Sequence, residues 1–285
     1  MQLKDLKHIF RKELQALYPK EEIDEFFYRA IEHYYEVKPV YLALNPEFSL
    51  KTDEIPVIYK VLNDLKNHKP IQQILGVAPF YGLEFNVNEH VLIPRPETEE
   101  LVDWIIKDLK KNHSEETELK ILDIGTGSGC IAVTLSKNWP NAKVTAFDIS
   151  EKALDLARQN AKALKADVQF FQRDILKLEN LTDEYHVIVS NPPYVRYLEK
   201  EKMRPNVLDH EPHLALFVPD DNALVFYQKI GRLAVNNLKP TGALYFEINQ
   251  YLGKELREEL QEIGFGEVEV RCDIYGNDRM IKAKF

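Results

Sequence analysis

Apolar positions repeat at helical spacing through the first quarter of the chain and as short continuous runs through the last two thirds. Leu3, Leu6, Phe10, Leu14 and Leu17 form one stripe, stopped at Pro19. A second, over residues 21–36, takes Ile23, Phe26, Phe27, Ala30, Ile31 and Tyr34. Residues 39–44 predict a short helix or turn. Residues 52–67 predict a further helix with Ile58, Val61, Leu62 and Leu65 in phase, and Pro56 suits its first turns. Residues 1–75 therefore read as a small helical bundle.

The pattern changes at residue 71. Gly76, Pro79, Gly82 and Asn88 punctuate short apolar runs, which predicts a β-hairpin reaching to about Arg95. Thr98, among Glu97, Glu99 and Glu100, opens a helix through Val102, Ile105, Ile106 and Leu109. Acidic residues suit a helix N-terminus.

From Leu119 strands and helices alternate. Strands are predicted over residues 119–124, 144–147, 168–171 and 187–189, then 243–248. Helices between them carry Ile131, Val133 and Leu135, then Ala153, Leu154 and Ala157, then residues 223–238 and 252–263. Two last strands, 267–272 and 279–285, flank a Tyr275-Gly276-Asn277-Asp278 turn. Alternation implies a parallel sheet covered on both faces, and the closing pair implies an antiparallel edge.

Composition narrows the class. With 285 residues, the chain is long enough for one large domain or two ordinary ones. No stretch of eighteen apolar residues and no apolar leader core is present, and Cys130 and Cys272 stand far apart. A cytoplasmic protein with two free thiols and no metal site is expected. The net charge is −9, and the longest basic block is Lys110-Lys111. Binding to duplex DNA, which needs clustered cations, is not expected.

Candidate chemistry sits at the ends of the strands. Gly125-Thr126-Gly127-Ser128-Gly129 follows the first strand of the α/β region and precedes a helix, as a ligand-cradling loop does. Asp123, just before it, is placed to meet an ammonium directly or through water. Asp148 ends the next strand, about twenty residues on, where a carboxylate takes both hydroxyls of a ribose. Asp174 and Ile175 end the third strand, where an adenine would lie. S-adenosylmethionine, with a ribose, an adenine and a zwitterionic end but no phosphate, fits these parts. The fourth strand runs into Ser190-Asn191-Pro192-Pro193-Tyr194. Proline stiffens that turn. The Asn191 side chain and the Pro192 carbonyl can accept both hydrogens of a planar –NH2 group, while Tyr194 packs on its plane.

The order DIGTGSG, FDIS, RDI, SNPPY resembles a class I S-adenosylmethionine-dependent methyltransferase that methylates amino groups. The segment ILGVAPFYGLEFNVNEHVLIPRPETEELV is similar to that of the peptide chain release factor N5-glutamine methyltransferases, a family with a helical N-terminal domain of this size. The resemblance spans nearly the whole chain. It implies a Rossmann-like domain at residues 96–285 with a mostly parallel seven-stranded sheet, a hairpin linker at 76–95 and a docking bundle at 1–75. It further implies methylation of the glutamine amide in the GGQ loop of bacterial class 1 release factors by a monomer, with S-adenosylhomocysteine as product. Asn191, Pro192 and Tyr194 would be catalytic, Pro193 would border the substrate, Asp123, residues 125–129, Asp148, Asp174, Ile175 and Asn191 would meet the cofactor, and Phe80 and Tyr81 would wall the glutamine.

The chain departs from the family at Ile175, where an aromatic is usual, and at Phe217-Val218-Pro219-Asp220-Asp221, where a glycine-rich turn is usual. Two other functions compete. An adenine-N6 nucleic-acid methyltransferase would use the same Asn-Pro-Pro-Tyr on a flipped base, and should show a basic groove or a target-recognition domain. A non-catalytic S-adenosylmethionine-binding module would have no need of the intact loop, Asp148 and Asn-Pro-Pro-Tyr together.

Overall fold

The computed structural model describes residues 1–285, which form two compact units. The first is Met1–Gly76 with Arg204–His210, a segment from late in the chain. Its helices are α1 (Leu3–Leu14), α2 (Lys20–Tyr35), α3 (Pro39–Leu44), α4 (Ile55–Lys66) and α5 (Ile71–Leu75). The stripe residues Leu6, Phe10, Phe27, Ile31, Ile58 and Leu65 are fully buried, and the Phe10 and Phe27 rings meet edge to face at 5.3 Å. Leu17 falls past the end of α1 and is exposed. Residues 71–75 are helical rather than part of a hairpin, and Gly76 ends them at φ +76°, a backbone angle that favours glycine. Gln73 donates to the His210 carbonyl at 2.9 Å, which fastens the late segment.

The second unit is Val77–Met203 with Glu211–Phe285. It begins with an antiparallel hairpin, β1 (Val77–Phe80) and β2 (Leu83–Asn86), followed by α6 (Pro96–Asn112). Helix α6 starts two residues earlier than Thr98 suggested, because Pro96 occupies its first position. Then come β3 (Leu119–Ile124), α7 (Cys130–Asn138), β4 (Ala142–Asp148), α8 (Glu151–Leu164), β5 (Val168–Gln172), β6 (Tyr185–Ser190) and β7 (Val195–Arg196). The chain continues through α9 (Pro205–Leu208, part of the first unit), β8 (Phe217–Val218), α10 (Val225–Asn237), β9 (Leu238–Glu247), α11 (Gly253–Ile263), β10 (Glu267–Cys272) and β11 (Asp278–Lys284). No helix is long and apolar enough to cross a membrane.

Seven strands form one sheet in the order β10-β11-β9-β6-β3-β4-β5. The five from β9 to β5 run parallel; β11 runs antiparallel to β9, and β10 antiparallel to β11. Both faces are covered, and the period of two along each strand explains how. Ile121, Val187, Val189 and Tyr245 join α6 and α7 in one core. Leu122, Ile188, Leu244 and Phe246 join α10 and α11 in the other. The hairpin expected as a linker puts Phe80 and Phe85 fully into the first of these cores, so it is built into the sheet unit.

Strand order reverses at β3, which lies between β4 and β6. In an open α/β sheet the crevice outside the strand ends at such a point is where ligands bind. Registers bring Ile124 beside both Phe147 and Ser190, so the segments following residues 124, 148 and 190 converge there.

Candidate active site

A cleft of about 270 Å³ opens at this point. The glycine loop forms its floor. Gly125 and Thr126 both donate their N–H groups to the Phe147 carbonyl, at 2.8 and 2.9 Å. Gly125, Gly127 and Gly129 all have positive φ, and a Cβ at Gly125 or Gly127 would meet nothing within 4 Å. The loop therefore presents open backbone to the cleft.

Asp148 lines the cleft. Its Oδ2 accepts the Gly127 N–H at 2.9 Å and its Oδ1 accepts the Ser150 N–H at 2.9 Å. A carboxylate has about four lone-pair sites, so one on each oxygen is left for a ligand. Burial holds this carboxyl above its ordinary range, against the pull of those N–H donors. Ile175 is a buried wall residue. Asp174 also lines the cleft, but its Oδ1 accepts the Leu176 N–H at 3.1 Å and its Oδ2 pairs with Lys177 at 3.0 Å. Asn191, Pro192 and Pro193 line the side formed by the end of β6.

Four expected site residues stand elsewhere. Asp123 is fully buried beneath the loop, does not border the cleft, and accepts the Thr126 hydroxyl at 2.6 Å. Burial pushes its carboxyl up to about 7. It braces the loop through Oδ2, while its Oδ1 has no hydrogen-bond partner. Phe80 is a core residue rather than a wall, because the hairpin's alternation turns it inward. Tyr81, at φ +48°, hydrogen-bonds Asp103 instead. Tyr194 is not among the cleft-lining residues. Its hydroxyl donates to Glu247 Oε1 at 3.1 Å, and burial with that acidic neighbour drives the phenol well above its ordinary range.

The structure adds residues that sequence reasoning passed over. Thr98 lines the cleft and is 3% exposed. Its Oγ1 receives the Asn191 Nδ2 hydrogen bond at 3.2 Å and donates a short one to Glu247 Oε2. Glu247, 1% exposed at the end of β9, is held above its ordinary range by burial. An acid inside the apolar run Leu244-Tyr245-Phe246-Glu247-Ile248 was the available signal. Ile93 and Arg95 on one rim and Phe226 and Ile230 on another complete the cleft. Arg95 pairs with the buried Glu211, whose Oε2 accepts the Ile93 N–H at 3.2 Å. The segment that departs from the resembled family is anchored as well. Phe217 and Val218 pair with β7, and Asp220 Oδ1 accepts the Leu198 N–H at 3.0 Å.

A family model described as "Methyltransferase small domain" matches residues 102–210. A protein of Flavobacterium psychrophilum named release factor glutamine methyltransferase is 52% identical over 285 residues, covering 100% of each chain. One of the same name from Bacteroides thetaiotaomicron is 42% identical over 274 residues, 96% of each chain. The crystal structure of a methyltransferase from Pyrococcus furiosus has the same fold, with a TM-score of 0.51 at 21% identity, over 71% of this chain and 89% of that one.

Proposed function

The chain belongs to the release factor glutamine methyltransferase family, and on that premise we propose that it methylates the side-chain amide nitrogen of the glutamine in the GGQ loop of bacterial class 1 release factors, with S-adenosylmethionine as methyl donor. One observation carries the reading: a single cleft is lined by the open glycine loop, the Asp148 carboxylate and Asn191-Pro192.

The residues fit the donor. Asp148 keeps a lone pair on each oxygen for two ribose hydroxyls, Ile175 offers an apolar wall for a ring, and the loop leaves room for close approach. S-adenosylmethionine supplies an electrophilic methyl group on a sulfonium. The rest falls to the protein. An amide nitrogen is a weak nucleophile because its lone pair is delocalised into the carbonyl. Asn191 Oδ1 and the Pro192 carbonyl accept its two hydrogens, which fixes the direction of attack and pushes density onto nitrogen. Holding reactants in line is worth up to roughly 7–11 kcal/mol of barrier. The stiff Pro192-Pro193 turn keeps the acceptors in place without reorganisation. Nitrogen gains the methyl group as the carbon–sulfur bond breaks to leave the neutral thioether S-adenosylhomocysteine, and the amide proton is then lost to water. The same reading carries a cytoplasmic location and a monomeric enzyme.

The test is methyl transfer from labelled S-adenosylmethionine to a release factor, to its GGQ→GGA form and to unmethylated duplex DNA, with Asn191→Ala alongside. Label on the intact factor alone, reduced about 100-fold by Asn191→Ala, supports the reading. Label on DNA moves the chain to the nucleic-acid branch, and cofactor binding with no transfer makes it a binding module.

A further inference from the structure

We propose that Thr98 and Glu247 are positioning residues that fix which end of the Asn191 amide faces the substrate. The two faces of an asparagine amide have nearly the same shape and opposite hydrogen-bonding character. A reacting –NH2 group needs the oxygen. Were Asn191 to offer its own –NH2, donor would face donor.

The directions of the hydrogen bonds settle which end is offered. Glu247 is buried at the end of β9, and both its oxygens accept, Oε1 from Tyr194 and Oε2 from Thr98. With both oxygens accepting, Glu247 gives no hydrogen to either partner. Thr98 has one hydroxyl hydrogen, and Glu247 takes it. Only lone pairs then remain on Thr98 Oγ1, so its partner on Asn191 must be the donor, Nδ2, at 3.2 Å. Oδ1 is left as the free acceptor of a residue that lines the cleft. The acceptor character of Glu247 thus passes through one hydroxyl and emerges at Asn191.

The relay is held from the far side. The Tyr227 hydroxyl donates to the Glu247 carbonyl at 3.1 Å, fixing the end of β9. Asn249 Nδ2 donates to the Tyr194 carbonyl at 3.0 Å, fixing the turn that carries Asn191. Thr98 lies in the first turn of α6, 93 residues from Asn191, and Glu247 is 149 residues from Thr98. Three separate elements are joined through the Thr98 hydroxyl.

The inference rests on the proposed reaction for its kinetic consequence but not for its geometry, and the experiment has two readouts. The first is solvent exchange of the Asn191 side-chain –NH2, followed by NMR and assigned from its absence in Asn191→Ala. The second is kcat and KM for release factor methylation. Thr98→Val keeps the shape and removes the hydroxyl; Thr98→Ser restores it; Glu247→Gln keeps the shape but offers one donor face to two donors. Thr98→Val and Glu247→Gln are expected to speed amide exchange and lower kcat by about 10- to 100-fold with cofactor affinity unchanged. Thr98→Ser should return both readouts to near the wild-type values. Unchanged amide exchange in Thr98→Val overturns the inference whether or not the wild-type protein methylates a release factor. Absence of wild-type methylation, with exchange altered as expected, overturns the proposed reaction and leaves the positioning role standing.

Discussion

The Asp148 carboxylate accepts the Gly127 N–H at 2.9 Å, tying the tip of the glycine loop to the end of the neighbouring strand. The same carboxylate takes the Ser150 N–H, so it is oriented before any ligand arrives. Its free lone pairs are the ones a ribose would use. Asp148→Asn supplies an –NH2 group where an acceptor is needed. A hydrogen bond to a charged group is worth about 1.5–3 kcal/mol, so cofactor affinity should fall roughly 10- to 100-fold. Titration calorimetry measures this directly, and an affinity equal to wild type would remove Asp148 from the cofactor site.

Two glycines of one loop should respond differently to alanine. Gly127 has φ +55° and open space where a Cβ would go, so Gly127→Ala meets only the left-handed penalty, about 1–2 kcal/mol. Its methyl group would stand where the loop is open, and cofactor affinity should drop more than stability. Gly129 has φ +82°, and its Cβ would come to 3.1 Å from the Cβ of Ala157 on α8. Gly129→Ala therefore adds overpacking, about 1–3 kcal/mol beyond the conformational term. Melting temperatures of the two variants should separate in that order. The reverse order would mean that α8 yields where the loop does not.

The strands and the ends that matter were readable because their signals are local. The runs at residues 119–124 and 187–189 lie in buried strands, and the spacing from the loop to Asp148 places a carboxylate beside it. What escaped was set by contacts between distant segments. Thr98 read as a helix opener because nothing nearby says that its hydroxyl meets Glu247 across 149 residues. Phe80 read as a wall because a four-residue strand gives too few alternations to tell its inward face from its outward one. For Asp123 the sequence shows that an acid precedes the loop, and not that β3 carries it beneath the loop to Thr126.

The rim of the cleft is stapled by a pair of opposite charges. Glu211 is buried, its partner Arg95 is about one third exposed, and its second oxygen takes the Ile93 N–H. Removing one member of a buried pair costs about 3–5 kcal/mol, and the exposure of Arg95 brings the expectation down to about 2 kcal/mol. Glu211→Ala should lower the melting temperature by roughly 4–8 °C in a chain of this size. Cofactor affinity should weaken too, because Ile93 and Arg95 both line the cleft. A variant as stable as wild type would show that the rim is held by Pro94 and Pro96 alone.

Asp123 should leave a signature in the dependence of stability on pH. Its carboxyl is pushed up to about 7 from an ordinary 3.8, chiefly by burial and further by Asp148, against the Thr126 hydroxyl. Below about pH 4 the group is protonated in both the folded and the unfolded chain and has no effect on their balance. Between pH 4 and 7 the unfolded chain releases this proton while the folded chain keeps it, so rising pH favours unfolding. The stability present at low pH is lost as pH passes through 7, by an amount on the order of 4 kcal/mol. Asp123→Asn keeps an acceptor for Thr126 and cannot ionise. Urea unfolding at a series of pH values should therefore show the variant gaining on wild type steadily from pH 4 to 7, with a constant difference on either side. Parallel curves throughout would mean that Asp123 is charged in the folded protein and that the loop is braced by an anion.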